Sequence, residues 1–469
     1  MSMRCFYSIT KGRIVAVVLA LGVAAAIPTR TIAQVEGTQG TIDAALKAAG
    51  AAHQPVLVDF SALWCHACWW MKKNVMNGTQ WDALLNRLVY IESDADSADG
   101  EAWMKKLAVA GLPTYVVLGS DGTELGRVVG EVEAEKFYPK IERLIGGTDT
   151  LEKLKAQAAH GTPADVAQVL EAYAARNDFK VATSWYALLP EPVRSRAAAD
   201  PIVTVDLELM QAQVAKHSLS SAKTPATKAA LAKSCAGHGE RALSAGPNFD
   251  DRIQIIDVMA DCTEDFAPEQ RKALLMASLA TALAQLDAKK LSIRPLPSGT
   301  REAVLILAET TKALGDKDGA KAIYANGVAA YRQQMDDGKG GLDLTSDRSA
   351  ADDLYALYRF SEQTDQTASL VKQLADTYST DCNYSLAYGR ILLKGNKAAD
   401  ALTYLEKAAE LARGRYVLRV ANARAKALIA LQRRPEAEMV VADALREAGV
   451  WFPTDQRELK EVLSSSGGA

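Results

Sequence analysis

Val56-Leu-Val-Asp-Phe-Ser-Ala-Leu-Trp64-Cys65-His66-Ala67-Cys68-Trp69-Trp70-Met71 joins an apolar, β-branched run of strand length to a helical pattern, with two cysteines at the junction. Cys65 is therefore expected at a helix N-terminus. Unpaired N–H groups there carry partial positive charge and favour a thiolate, so Cys65 should be acidic and nucleophilic. Cys68, one helical turn on, is placed to close a disulfide with it. A protonated His66 would add charge beside the thiolate and make the couple more oxidising. The pattern is that of a dithiol/disulfide exchange site. Two other readings stand beside it, half of a zinc site and an inert structural disulfide. A second pair at ligand spacing, Cys235-Ala-Gly-His238, lies about 170 residues downstream in a different kind of segment. Nothing near Cys65 and Cys68 supplies two further ligands, so no metal and no cofactor is expected.

Around this junction the chain alternates strand and helix signals. Thr41 to Gly50 reads as a helix, Val56 to Phe60 as a strand, and the cysteine-bearing helix should run to about Val75. Trp81 to Leu88 is helical, Leu88 to Ile91 a strand, and Glu101 to Leu107 helical again. Gly111-Leu112-Pro113-Thr114 introduces a strand at Tyr115 to Leu118, Ser120-Asp-Gly122 turns the chain, and Leu125 to Val129 is a last strand before a helix from Glu133 to Ile145. This order predicts an α/β unit, a central sheet flanked by helices, over residues 36–146. Trp69 and Trp70 read as packing and surface aromatics rather than substrate contacts.

Val58-Asp59-Phe60, Trp64-Cys65-x-x-Cys68, the Ser93-to-Asp99 insertion, Gly111-Leu-Pro-Thr114, Ser120-Asp-Gly122 and Gly130 together resemble a thioredoxin domain. They are most similar to the periplasmic C-terminal domain of transmembrane thiol-disulfide interchange reductases. The resemblance implies that Cys65 attacks and Cys68 resolves. It makes Asp59 the buried carboxylate that moves a proton to and from the resolving thiol, and Pro113 a cis-proline presenting the Leu112 backbone to an extended substrate. Trp64, His66 and Leu112 are the expected substrate-side residues. Two departures stand out: His-Ala replaces the usual Gly-Pro between the cysteines, and Tyr90 falls where a lysine often accompanies the buried aspartate.

Residues 1–33 read as a secretory signal, with Arg4, Lys11 and Arg13 ahead of an apolar run from Ile14 to Ile27 that is short for a membrane span. The expected location is periplasmic, as a soluble protein once the signal is cleaved, with an uncleaved anchor as the alternative reading. Cys5 would leave with the signal. Cys235 and Cys262 lie on neighbouring expected helices and could be bonded, which would leave Cys382 single. At 469 residues more than one domain is expected, and a formal charge of −3 without a basic tract argues against nucleic acid as a partner.

After Gly146-Gly-Thr-Asp-Thr150 the chain turns Ala/Leu-rich and helical throughout. Ala320, Ala368, Ala401 and Ala437 mark copies 48, 33 and 36 residues apart. Spacing near 34 with small residues at helix crossings resembles tetratricopeptide repeats, so residues 151–469 are expected to form an α-helical repeat region, clearest over 304–448. Ala164 to Ala187 and Ile253 to Leu283 are helical but out of register with these copies, and Lys289 to Gly299 reads as a break. The whole reads as an exported protein-disulfide reductase acting on disulfide-containing proteins. A membrane thiol donor would resupply electrons, and the helical repeats would hold a protein or peptide ligand. The alternative is an envelope adaptor or chaperone-like binder in which the repeats are the working part.

Overall fold

The computed structural model describes residues 40–147, 149–264, 266, 268–288 and 299–464. The expected signal at 1–33, Cys5 and most of the break at 289–299 lie outside the described residues. Among those residues no helix is long and apolar enough to cross a membrane.

The N-terminal unit runs α1 (Ile42–Ala52), β1 (Val56–Ser61), α2 (His66–Asn74), α3 (Gly78–Leu85), β2 (Val89–Asp94), α4 (Ala98–Lys106), β3 (Thr114–Leu118), β4 (Glu124–Val129) and α5 (Ala134–Ile145). The sheet order is β2-β1-β3-β4, with β1 parallel to β2 and the other neighbours antiparallel. Every residue of β1 is buried, as expected of a central strand covered on both faces. Alternation sends Leu57, Tyr115 and Val117 to one face, against Met71 of α2 and Phe137 and Ile141 of α5. Val56, Val58, Phe60 and Val116 go to the other, against Ile42 of α1 and Trp103 of α4.

Two boundaries differ from expectation for local reasons. α4 begins before Glu101 because the Ser97 hydroxyl accepts from the Gly100 N–H at 2.9 Å and caps the helix. β2 runs past Ile91 through the polar Glu92, Ser93 and Asp94, because its pairing with β1 continues to Ser61 and Asp94.

The rest is helical: α6 (Leu151–Ala158), α7 (Pro163–Ala174), α8 (Phe179–Ala187), α9 (Glu191–Ala198), α10 (Pro201–Leu219), α11 (Pro225–Ser244), α12 (Phe249–Cys262) and α13 (Pro268–Ala288). There follow α14 (Gly299–Ala313), α15 (Lys317–Gln334), α16 (Arg348–Phe360), α17 (Thr364–Thr377), α18 (Cys382–Lys394), α19 (Ala398–Leu411), α20 (Arg415–Ala430), α21 (Arg434–Ala448) and α22 (Pro453–Ser464).

One corner recurs. Gly315, Glu362, Asn396 and Gln432 end α14, α16, α18 and α20 in left-handed conformations, with φ of 91°, 62°, 57° and 61°. The next residue's N–H bonds the carbonyl five positions back, as from Lys397 to Leu392 at 2.9 Å and Arg433 to Leu428 at 2.8 Å. This is the Schellman closure, which satisfies carbonyls that the helix end would leave open. Four positions after each N-cap comes a buried small residue: Ala320, Thr367, Ala401 and Ala437. The anchor of the second hairpin is thus Thr367, not Ala368, whose neighbour takes the crossing. The same corner joins α7 to α8, where Asn177 has φ 56° and Ala182 is fully buried.

Candidate redox-active site

Cys65 and Cys68 form a disulfide, with Cα atoms 5.2 Å apart. Cys65 is the N-cap of α2, and its Sγ accepts the N–H of Cys68 at 3.1 Å. The sulfur therefore sits at the helix N-terminus and shares the Cys68 N–H with the Cys65 carbonyl, which that N–H also reaches at 3.1 Å, an arrangement that stabilises a thiolate once the bond is opened. Both cysteines are buried, at 2% and 1% exposure, among Ala62, Ala67 and Ala95, with Leu112 and Met104 packed against them. The Leu112–Pro113 peptide is cis, and the Pro113 carbonyl accepts the Gly130 N–H at 2.9 Å. The sequence-expected residues Cys65, Cys68 and Leu112 thus share one cluster. Trp64 keeps 41% of its surface exposed while its Nε1–H donates to Asp96 Oδ2 at 2.7 Å.

Asp59 is fully buried on β1, level with Glu92 and Tyr115 on the flanking strands. Tyr90 donates its hydroxyl to Asp59 Oδ2 at 2.9 Å, while Oδ1 has no hydrogen-bond partner. Burial pushes the Asp59 pKa up to about 7; the nearby Lys72 opposes this, Glu92 adds to it and the Tyr90 bond opposes it. The lysine missing from position 90 thus has a counterpart in charge at Lys72, which is ion-paired with Glu92.

His66 is turned toward the helical region rather than left free on the substrate side. Its Nδ1 lies 2.8 Å from Asp353 Oδ1 of α16, a close ionic contact rather than an aligned hydrogen bond. Burial disfavours the charged ring, but the Asp353 carboxylate outweighs it, and the His66 pKa is raised. Burial likewise works against Asp353 ionising, yet His66 and Arg301 hold it below the usual carboxylate range. Tyr331 donates to its Oδ2 at 2.8 Å, and Arg301 lies 3.6 Å from Oδ1. Glu131, just after β4, comes within 3.9 Å of His66, and burial and then Asp353 push its pKa up to about 8.

Further contacts join the two regions around the disulfide. Trp69 packs on the core of α14 to α18, under the Arg348 guanidinium at 3.8 Å. Lys73 pairs with Asp347 at 2.9 Å. Gly414, at φ 53°, lies so close to the Asp96 carbonyl that a Cβ would overlap it, and the Arg415 N–H donates to that carbonyl at 2.8 Å. Glu131, Asp353, Asp96 and Arg415 were not singled out from the sequence. One signal for Asp353 was there: Asp352-Asp353 interrupts the face of α16 that buries Ala350, Ala351 and Leu354.

Cys235 of α11 and Cys262 of α12 form a second disulfide, and the His238 ring meets Glu208 at 2.7 Å instead of sharing a ligand set with Cys235. Cys382 is a buried free thiol. Among the described residues no group of three or more His, Cys, Asp or Glu is arranged to hold a metal ion.

Residues 42–145 match the family model for the thioredoxin-like domain. The Thiol:disulfide interchange protein DsbD of Ralstonia nicotianae is 33% identical over 108 residues, 22% of this chain and 18% of that protein. The chloroplastic thioredoxin-like protein HCF164 of Oryza sativa is 26% identical over 98 residues, 21% of this chain and 37% of that protein. The chain spans about a fifth of the length of the interchange protein. A tetratricopeptide repeat protein from Parabacteroides merdae overlays 64% of this chain and 98% of its own, with a TM-score of 0.36 and 13% identity. Residues 42–145 are a thioredoxin-like domain, related to thiol-disulfide proteins and carrying the Cys65–Cys68 pair.

Proposed function

We propose that this protein is an exported, periplasmic thiol-disulfide oxidoreductase that reduces disulfides in other proteins. The observation that carries the reading is Cys65 at the cap of α2, with the Cys68 N–H aimed at its Sγ. In the reduced enzyme the Cys65 thiolate attacks one sulfur of a substrate disulfide. The other substrate sulfur leaves as a thiolate and is protonated, and a mixed disulfide remains. Cys68 then gives up its proton, with Asp59 as the acceptor, and attacks Cys65 Sγ. The second substrate thiol departs and the Cys65–Cys68 disulfide is restored. Two electrons have passed to the substrate, and a membrane dithiol donor resupplies them. Asp59, poised to about 7, can both take and return a proton near neutral pH. Leu112, Pro113 and Trp64 bound the face on which an extended substrate segment pairs with the site.

A Cys68→Ser chain expressed in the cell envelope tests this. Mixed disulfides through Cys65 should accumulate, and Cys65 in the reduced wild-type chain should alkylate at mildly acidic pH. A folded Cys68→Ser chain that traps nothing, with an ordinary Cys65 thiol, would refute the reading.

A further inference from the structure

A groove of about 960 Å³ runs along α14, α16 and α18, and one of its walls is Trp64, the residue before Cys65. This volume is at the upper end of what small-molecule sites offer and admits an extended run of polypeptide. Its floor is apolar, with Leu305, Tyr355 and Leu386. Its acidic residues are Glu302, Asp352 and Glu362: Arg301 is shared between Glu302 at 4.0 Å and Asp352 at 3.6 Å, and Glu362 has Lys312 at 3.4 Å. Arg359, Arg390 and Lys394 also line it, and none of the three makes an ion pair with a carboxylate among the described residues. The Arg390 guanidinium is held below its usual range, first by burial and then by the like charge of Arg419. The groove therefore presents an apolar floor that reaches Trp64 and, at Arg359, Arg390 and Lys394, positive charge with no carboxylate partner among the described residues.

We propose that this groove binds a segment of the substrate protein rich in Asp and Glu, next to the cysteine being exchanged. The assignment rests on the redox reading and adds the class of sequence selected. Arginine meets carboxylates through paired N–H donors, and such contacts mostly set encounter rate and choice of partner. Apolar side chains of the same segment would cover the floor, and Trp64 would be the boundary between recognition and exchange.

The test separates binding from chemistry. A fluorescently labelled, glutamate-rich, cysteine-free peptide and its lysine-for-glutamate counterpart are titrated against the full chain by anisotropy. The acidic peptide should bind about tenfold or more tighter at low ionic strength, and the difference should shrink as salt screens it. Arg390→Glu with Lys394→Glu should abolish the preference, whereas Arg390→Lys with Lys394→Arg should keep it. Equal binding of the two peptides, or a preference that survives the charge reversal, would overturn the proposal. Neither readout needs turnover. A chain that binds the acidic peptide but reduces no disulfide, including a small aromatic one, would count against the redox reading and leave the groove assignment standing.

Discussion

His66 Nδ1 and Asp353 Oδ1 approach to 2.8 Å, so a side chain lying between the two active-site cysteines is gripped by a carboxylate from a helix of the C-terminal region. The geometry makes the helical region part of the redox site's electrostatic environment.

Removing that grip should be costly. Asp353→Asn is expected to destabilise the chain by about 3 kcal/mol, the scale of breaking one side of a buried pair. His66 is raised above its ordinary 6.5, so its contribution is complete below that pH and is lost as pH rises through the folded value. Asp353 is depressed below 3.8, so its contribution is present above that pH and is lost as pH falls through its folded value. Urea unfolding of wild type and variant should therefore differ most in weakly acidic buffer, with the gap narrowing in alkali.

Asp59 has the opposite sign to Asp353. Its folded pKa of about 7 lies above the ordinary 3.8, so the native state loses stability as pH rises between those values. Asp59→Asn should raise stability by about 4 kcal/mol near pH 8 and by little near pH 4. The same variant should slow resolution of a trapped mixed disulfide in single-turnover measurements. Faster or unchanged resolution would remove Asp59 from the proton path.

Gly414→Ala places a methyl group on the Asp96 carbonyl at a positive φ. A cost of about 2 kcal/mol is expected, concentrated at this contact. Amide exchange should rise over residues 94–97 and over the start of α20, with the sheet protected as before.

The Cys235–Cys262 bond closes a loop of 27 residues. Replacing both cysteines by serine should lower stability by about 3 kcal/mol through regained unfolded-state entropy. Equilibrium denaturation in the absence and presence of dithiothreitol checks this, since the reductant should abolish the difference.

Local patterns carried the N-terminal unit. The largely apolar β1, the cysteine spacing and the Gly-Leu-Pro-Thr loop each describe structure within a few residues, and the thioredoxin resemblance put Tyr90 where a lysine often accompanies Asp59, to which Tyr90 donates its hydroxyl. The repeat anchors were legible to within one residue, because a small side chain at a helix crossing leaves a mark in the sequence and Thr367 can stand in for alanine. The α7–α8 corner went unregistered because long helices, α10 to α13, separate it from the other copies. Glu131, Arg415 and the partner of Asp353 were invisible for a different reason. Each matters through a partner far away in the chain, and neither periodicity nor capping encodes which distant carboxylate will meet which histidine.

The Arg415–Asp96 contact spans 319 positions. A polypeptide delivered N-terminus first completes its sheet and its cysteine pair long before α16 or α20 has emerged. During that interval His66 lacks Asp353 and Asp96 lacks Arg415, because both partners belong to residues made later. The charges that surround the cysteine pair are thus the last part of its setting to be made.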